Sequence, residues 1–190
     1  MRIVVSGTHA SGKSTLISDF ALRHPKFTVL PDPFELVDEA GGTASAALFA
    51  SQLRIAADRL AAQNNGPCLI AERGPLDFLA YLLALADLTG RPLDDAFLER
   101  ATARTAEALR AVDMLVVLPL TPRDPIHVDA DEFLELREAM NDVLLELLDD
   151  PDVIDEALTV VEITGAPDER LVTLETLVGE AVLSDPTVCP

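Results

Sequence analysis

Positive charge is scarce in this chain. Fourteen lysines and arginines face 33 aspartates and glutamates, for a formal net charge of −19. A surface that acidic repels nucleic-acid phosphates and anionic membranes, so neither is expected as a main partner, apart from any local basic pocket. Cysteine is scarce too. Cys68 opens an apolar run and Cys189 is next to last. That is neither a disulfide framework nor a metal-ligand spacing, and Cys68 reads as a small buried hydrophobe. Long hydrophobic runs are missing: no window reaches the ~18 apolar residues of a membrane span. The N-terminus also lacks the charged-then-apolar pattern of a signal peptide. A cytoplasmic location is the resulting expectation. At 190 residues, 49% of them hydrophobic, the chain is long enough for one domain, 1–190, with a sizeable core.

What is present is an alternation of short apolar runs with helical periodicity. RIVVS (2–6), FTVL (27–30), CLIAE (68–72), a strand within 112–120 and LTVVEIT (158–164) read as strands. Between them, apolar spacing predicts helices from Gly12 to about Arg23, over FELVDEA, from Thr43 or Ser45 to about Asn64, from Pro75 as the first helical residue, over 94–109, and over DEFLELREAMNDVLLELL. A last helix follows GAPDE, and the tail SDPTVCP is expected to fray. Short, continuously apolar strands separated by helices indicate an α/β fold, a parallel sheet covered on both faces. Ligands of such sheets bind beyond the carboxyl ends of the strands. The residues after positions 6, 30, 71, 119 and 164 are therefore the ones to inspect.

Lysine occurs only at Lys13 and Lys26, and the first lies in a glycine-bracketed loop directly after the first strand. Gly7-Thr8-His9-Ala10-Ser11-Gly12-Lys13-Ser14 matches G-x-x-x-x-G-K-[ST] between a strand and a helix, the context this motif requires. Gly7 and Gly12 let the backbone curl so that its N–H groups face a phosphate chain. The helix beginning near Lys13 adds its positive end. Lys13 reaches the β- and γ-phosphates as a mobile point charge, and Ser14 offers a hydroxyl to Mg²⁺. His9, Ala10, Ser11 and Thr15 complete the expected nucleotide-binding stretch. His9 occupies a variable position suited to packing or solvent, and Thr15 to supporting the helix start.

Acids and an arginine stand at two other strand ends. Glu72 and Arg73 follow the third strand: the acid suits the Mg²⁺ water shell, and the arginine suits a phosphate or a substrate hydroxyl. Asp32, between Pro31 and Pro33 after the second strand, is placed either to take a proton from an attacking hydroxyl or to cap the next helix. Asp77 either lines the same cleft or serves as a helix-start acid.

The segments SGTHASGKSTL, LPDPFE, LIAERGPLDFLAYL and VVEITGAPDERL resemble the P-loop kinases of small molecules. The nearest groups are deoxynucleoside-kinase-like proteins and AAA-type ATP-binding proteins similar to ribosylnicotinamide kinase. The resemblance runs over nearly the whole chain in element order. It implies a three-layer P-loop NTPase fold, with a five-stranded parallel sheet of order 2-3-1-4-5. In that family an acid-proline pair supplies the general base, matched here by Asp32-Pro33, and an acid-arginine pair binds magnesium and substrate, matched by Glu72-Arg73. The family's arginine-rich lid corresponds to about 121–138, which holds Arg123, His127 and Arg137. Arg123 is the best-placed phosphate contact of these, whereas Arg137 sits in an acidic helix where i,i+4-type salt links are an alternative. Gly165-Ala166-Pro167 matches the segment that passes beneath adenine. The substrate side would be built from about 33–64, with Phe49 to stack on a nucleobase and Gln52 to pair with its edge, unless both are ordinary core and helix positions. Tyr81 reads as core.

The leading expectation is transfer of the γ-phosphate of ATP, with Mg²⁺, to a hydroxyl of a small molecule, a nucleoside or nucleotide-like compound first. The alternative is a P-loop ATPase or nucleotide-dependent switch acting with a protein partner. A binder without turnover is a third reading, because the lid is poor in arginine. The absence of clear DxxG and NKxD elements disfavours a GTPase. A homodimer is compatible with either function.

Overall fold

The computed structural model describes residues 1–36, 45–62, 66–121, 134–184 and 189. Five short strands form one sheet: β1 (Arg2–Ser6), β2 (Thr28–Leu30), β3 (Leu69–Glu72), β4 (Met114–Val117) and β5 (Thr159–Glu162). They lie in the order β2-β3-β1-β4-β5, and every pairing is parallel. Val4 of central β1 stands between Ala71 of β3 and Leu115 of β4. Parallel neighbours need crossovers, and helices supply them: α1 (Lys13–Arg23), α2 (Ala46–Ala61), α3 (Pro75–Thr89), α4 (Asp95–Leu109) and α5 (Leu134–Leu148), with α6 (Pro167–Ser184) after β5.

Alternation along the strands sorts the core into two layers. Ile3, Val5, Ile70, Met114 and Val116 face Leu16, Ile17 and Phe20 of α1 and Leu171, Leu174 and Val178 of α6. Val4, Leu69, Ala71, Leu115 and Val117 face the other way, toward α2, α3 and α5. Helix α3 lies between α2 and α5, which explains why LDFLAYLLALADL is apolar nearly all round: most of its residues are buried. The helix starts follow local chemistry. Ser45 accepts a hydrogen bond from Leu48 N at 3.2 Å, Asp94 accepts one from Phe97 N at 2.9 Å, and Pro75 is the first residue of α3. The predicted FELVDEA helix is represented by a single 3-10 turn, Pro33–Leu36, because residues 37–44 lie outside the described residues. No described helix is long and apolar enough to cross a membrane.

The cysteines correct the sequence expectation. Cys68 is buried, as a small hydrophobe would be, but it is bonded to Cys189 across 121 residues. Sequence spacing gave no sign of this bond. The pairing depends on α6 returning the chain toward the start of β3. Disulfides persist in oxidising compartments and are rare in the reducing cytosol, so the bond bears directly on the expected cytoplasmic location. Protein purified without reductant is expected to show no reactive thiol. Cys189→Ser is expected to lower the unfolding free energy by about 2–5 kcal/mol, read from denaturant melts. Two titratable thiols in the native protein, with unchanged stability in the variant, would remove the bond from the account.

Candidate phosphate-binding site

The loop between β1 and α1 is shaped by its glycines. Gly7 has φ +150°, and a Cβ there would meet both the Leu118 carbonyl oxygen and Ser11 Oγ at 2.8 Å. Gly12, at φ +91°, sits left-handed immediately before Lys13, the first residue of α1. Ala10 is also left-handed, at φ +49°, a conformation that costs a non-glycine residue energy and persists only under outside constraint.

Lys13 is buried within the loop it belongs to, donating from Nζ to Thr8 O at 2.6 Å and Ser11 Oγ at 3.2 Å. Burial, followed by the positive charge of Arg73, lowers its pKa from the ordinary 10.5 to about 7, against the pull of Asp77, Glu72 and Asp32. His9 is pushed down to about 4, first by burial and then by Arg73, Arg137 and Lys13. It is therefore neutral at physiological pH and adds no charge to the loop. Its Nδ1 lies 3.2 Å from Tyr81 Oη, which also accepts the His9 backbone N–H at 2.9 Å.

Ser14 and Glu72 come together as expected: Ser14 Oγ donates to Glu72 Oε1 at 2.7 Å. A hydroxyl and a carboxylate in contact, at the mouth of a phosphate loop, are the hard oxygen donors that Mg²⁺ takes while keeping most of its water. The residues present fit the ion. Thr15 is exposed one residue on. Arg73 and Asp32 also meet, through Arg73 Nη1 and Asp32 Oδ2 at 2.6 Å, with both side chains largely buried. Asp32 Oδ1 also accepts the Phe34 N–H at 3.0 Å, a capping contact at the start of the 3-10 turn. Arg59 holds the preceding Pro31 carbonyl at 2.7 Å. Arg73 is left-handed at φ +60°, and its guanidinium lies over the rings of Phe34 and Tyr81, 5.0 and 5.7 Å from their centroids.

Two expected substrate residues sit differently. Asp77 is fully buried beneath the phosphate loop and so lines no open cleft. Its carboxylate accepts from Ser6 Oγ at 2.8 Å, Gly7 N at 2.8 Å and Gly74 N at 2.9 Å. Burial raises its pKa, while these donors and the charges of Lys13 and Arg73 favour the ionised form. Phe49 is 2% exposed and stacked on Tyr81 at 4.9 Å, with Phe34 edge-on at 6.3 Å. Its ring is already packed within the core, the plainer of its two expectations. Gln52, three residues along the same helix, is completely buried, and neither its Oε1 nor its Nε2 has a hydrogen-bond partner among the described residues. Ala166 and Pro167 are exposed at the start of α6. Arg123 and His127 lie outside the described residues.

Sequence reasoning missed the roles of Tyr81 and Arg170, and it named Arg137 only as a lid residue or a salt-link partner. Tyr81 reads as core but turns its hydroxyl to the loop, 3.2 Å from Thr8 Oγ1. A signal existed: Asp77 and Tyr81, four apart, form one polar stripe on an otherwise apolar helix. Arg137 donates from Nε to His9 O at 3.1 Å and from Nη2 to Ala10 O at 3.2 Å, rather than to a neighbouring acid. Arg170 bonds Ser11 O and Gly165 O, each at 2.7 Å. No local pattern singles out Arg170, or the loop carbonyls as the partners of Arg137.

The lowered pKa of Lys13 has two consequences of opposite sign. In folding, the depressed value gives a stability contribution that is present above pH 10.5 and lost as pH falls through about 7. In binding, phosphate charge restores the proton, so affinity declines as pH rises above about 7. Calorimetry of ATP binding at pH 8, in buffers of different ionisation enthalpy, is expected to show proton uptake in the wild type and none in Lys13→Arg, whose side chain does not titrate. Equal uptake in both proteins would place the titrating group elsewhere.

Comparison with known proteins bears on the fold and the family. The AAA domain family model matches residues 2–170. No curated protein matches the chain. Among solved structures, deoxyadenosine kinase from M. mycoides, with the products dCMP and a flexible dCDP bound, has a TM-score of 0.67 at 15% identity, covering 95% of this chain and 100% of that one. Thymidylate kinase from Candida albicans gives 0.62 at 18%, covering 94% and 91%. NadR in complex with NR gives 0.67 at 17%, and the match spans 94% of this chain but half of the NadR chain. At such identities the likeness is one of fold, and that fold is the three-layer P-loop architecture. With its model covering nearly the whole chain, the conclusion is that this protein belongs to the AAA domain family.

Proposed function

We propose that this protein is an ATP- and Mg²⁺-dependent phosphotransferase. It moves the γ-phosphate to a hydroxyl of a small molecule, a nucleoside or nucleotide-like compound being the first candidate. The observation that carries the reading is the buried amide of Gln52, which has no hydrogen-bond partner among the described residues. Burying an amide without a hydrogen bond costs about 1–3 kcal/mol, a cost that a substrate-reading role accounts for. An enzyme using water as acceptor has no need of such a group. The solved structures of similar fold include nucleoside and nucleotide kinases, which supports the same class.

In this reading Lys13 stabilises charge on the terminal phosphates, and the loop N–H groups hold the rest of the chain of phosphates. Ser14 and Glu72 hold the metal, which when bound supplies neutralising charge to the phosphate oxygens. Phosphoryl transfer leaves little covalent chemistry to the protein, so positioning dominates. Asp32 accepts the proton that the acceptor hydroxyl must lose, and Arg73 orients the carboxylate through their ion pair. Ala166 and Pro167 lie under the base of ATP. Phe34, Phe49 and Tyr81 wall the acceptor side, and Gln52 reads its polar edge.

An ADP-release screen with and without a nucleoside panel tests the class. Release that depends on an acceptor supports the kinase, and release without one points to an ATPase. For Asp32→Asn, the cap is preserved and ATP affinity is expected to hold, while transfer falls roughly 10²-fold. Asp32→Glu, which keeps a base, is expected to retain most of the rate. Wild-type turnover in the Asn variant would make Asp32 a cap alone. For Gln52→Leu, loss of the unpaired amide is expected to stabilise the protein by about 1–3 kcal/mol and to raise KM for the acceptor without changing KM for ATP. A destabilised variant with unaltered acceptor KM would return Gln52 to an ordinary structural role.

A further inference from the structure

Arg137 and Arg170 approach the phosphate loop from opposite layers of the fold. Helix α5, bearing Arg137, packs with α3, whereas α6, bearing Arg170, packs with α1. Between them they hold three successive carbonyls, those of His9, Ala10 and Ser11. The described chain has no cis peptide bond, and in a trans peptide the C=O and the following N–H point in opposite directions. Fixing the carbonyls of residues 9, 10 and 11 therefore fixes where the N–H groups of Ala10, Ser11 and Gly12 point. Ala10 needs such a constraint, since its φ of +49° is unfavourable for alanine. Arg170 does more than hold one carbonyl. Its Nε bonds Gly165 O at 2.7 Å, so one buried guanidinium ties the loop to the segment 165–167.

We propose that Arg137 and Arg170 are positioning residues, a two-sided clamp that aims the N–H groups at the crest of the phosphate loop before a triphosphate arrives and couples the loop to residues 165–167. The role runs through backbone carbonyls and needs the forked, planar donor set of arginine. A lysine carries the same charge but lacks that fork. The proposal rests on the reading that the loop holds a triphosphate.

The test is calorimetric binding of inorganic tripolyphosphate and of ATP to the wild-type protein, Arg170→Lys and Arg137→Lys, with thermal melts of each. The expected result is at least about tenfold weaker tripolyphosphate binding in each variant. In turnover, KM for ATP is expected to rise while KM for the acceptor stays within twofold. A merely structural arginine would lower the melting temperature and the active fraction, leaving the Kd of the folded protein unchanged. Folded variants that bind tripolyphosphate within twofold of wild type overturn the clamp. Should Arg170→Lys fail to fold, the half-buried Arg137 decides from its own side of the loop. A wild-type protein that binds neither tripolyphosphate nor ATP overturns the phosphate-loop reading and the clamp with it. Wild-type binding alongside equal binding in the variants removes the clamp alone.

Discussion

The carboxylate of Asp77 joins the two strand ends on which the site depends. The phosphate loop leaves β1 through Ser6 and Gly7, and the turn carrying Glu72 and Arg73 leaves β3 toward Gly74. Asp77 bonds all three of Ser6, Gly7 and Gly74. A fully buried carboxylate is costly unless its acceptor sites are filled, and here three donors fill them. The same contact sets the spacing between the loop that holds Lys13 and the turn that holds Glu72. The contact of Ser14 with Glu72 and the ion pair of Arg73 with Asp32 are arranged around that anchor.

Charge in this molecule is distributed against its average. The chain carries a formal charge of −19, yet Lys13, Arg73, Arg137 and Arg170 converge on the carboxyl ends of the strands. Burial is the first cause of the lowered pKa of Lys13 and of His9, and repulsion adds to it, from Arg73 on Lys13 and from Arg73, Arg137 and Lys13 on His9. Acids offset part of it: Asp32, Glu72 and Asp77 all pull the lysine back toward its charged form. Carbonyls absorb more. Lys13, Arg137 and Arg170 each donate to backbone oxygens of the loop.

The surroundings of Arg73 are built by a different principle. Arg73, left-handed at the end of β3, spreads its guanidinium over Phe34 and Tyr81, and Tyr81 in turn stacks on Phe49. Aromatic rings hold the arginine without neutralising it. Tyr81 therefore joins two regions, with its ring between Phe49 and Arg73 and its hydroxyl on the backbone of His9. A change in this aromatic cluster has a direct path to the phosphate loop through this one side chain.

Most of the fold was legible in the sequence. Strand and helix identity rest on local periodicity, and β1 through β5 fall within the runs that apolar patterning marked. The phosphate loop was legible for the same reason. Left-handed glycines, a strand before and a helix after, and the placement of Lys13 and Ser14 on the first turn are all dictated by residues within a dozen positions. The strand-end rule carried Asp32, Glu72 and Arg73 to one side of the sheet. Tertiary structure alone decided what lies far apart in the chain. Arg137 reaches His9 across 128 residues, Arg170 reaches Ser11 across 159, and Cys68 reaches Cys189 across 121. It also decided that Asp77 supports the loop from below and that Gln52 is buried without a partner. The physical reason is common to all of these. The direction a side chain points depends on the rotation and layer of its helix, and both are set by packing against the sheet rather than by neighbours in sequence.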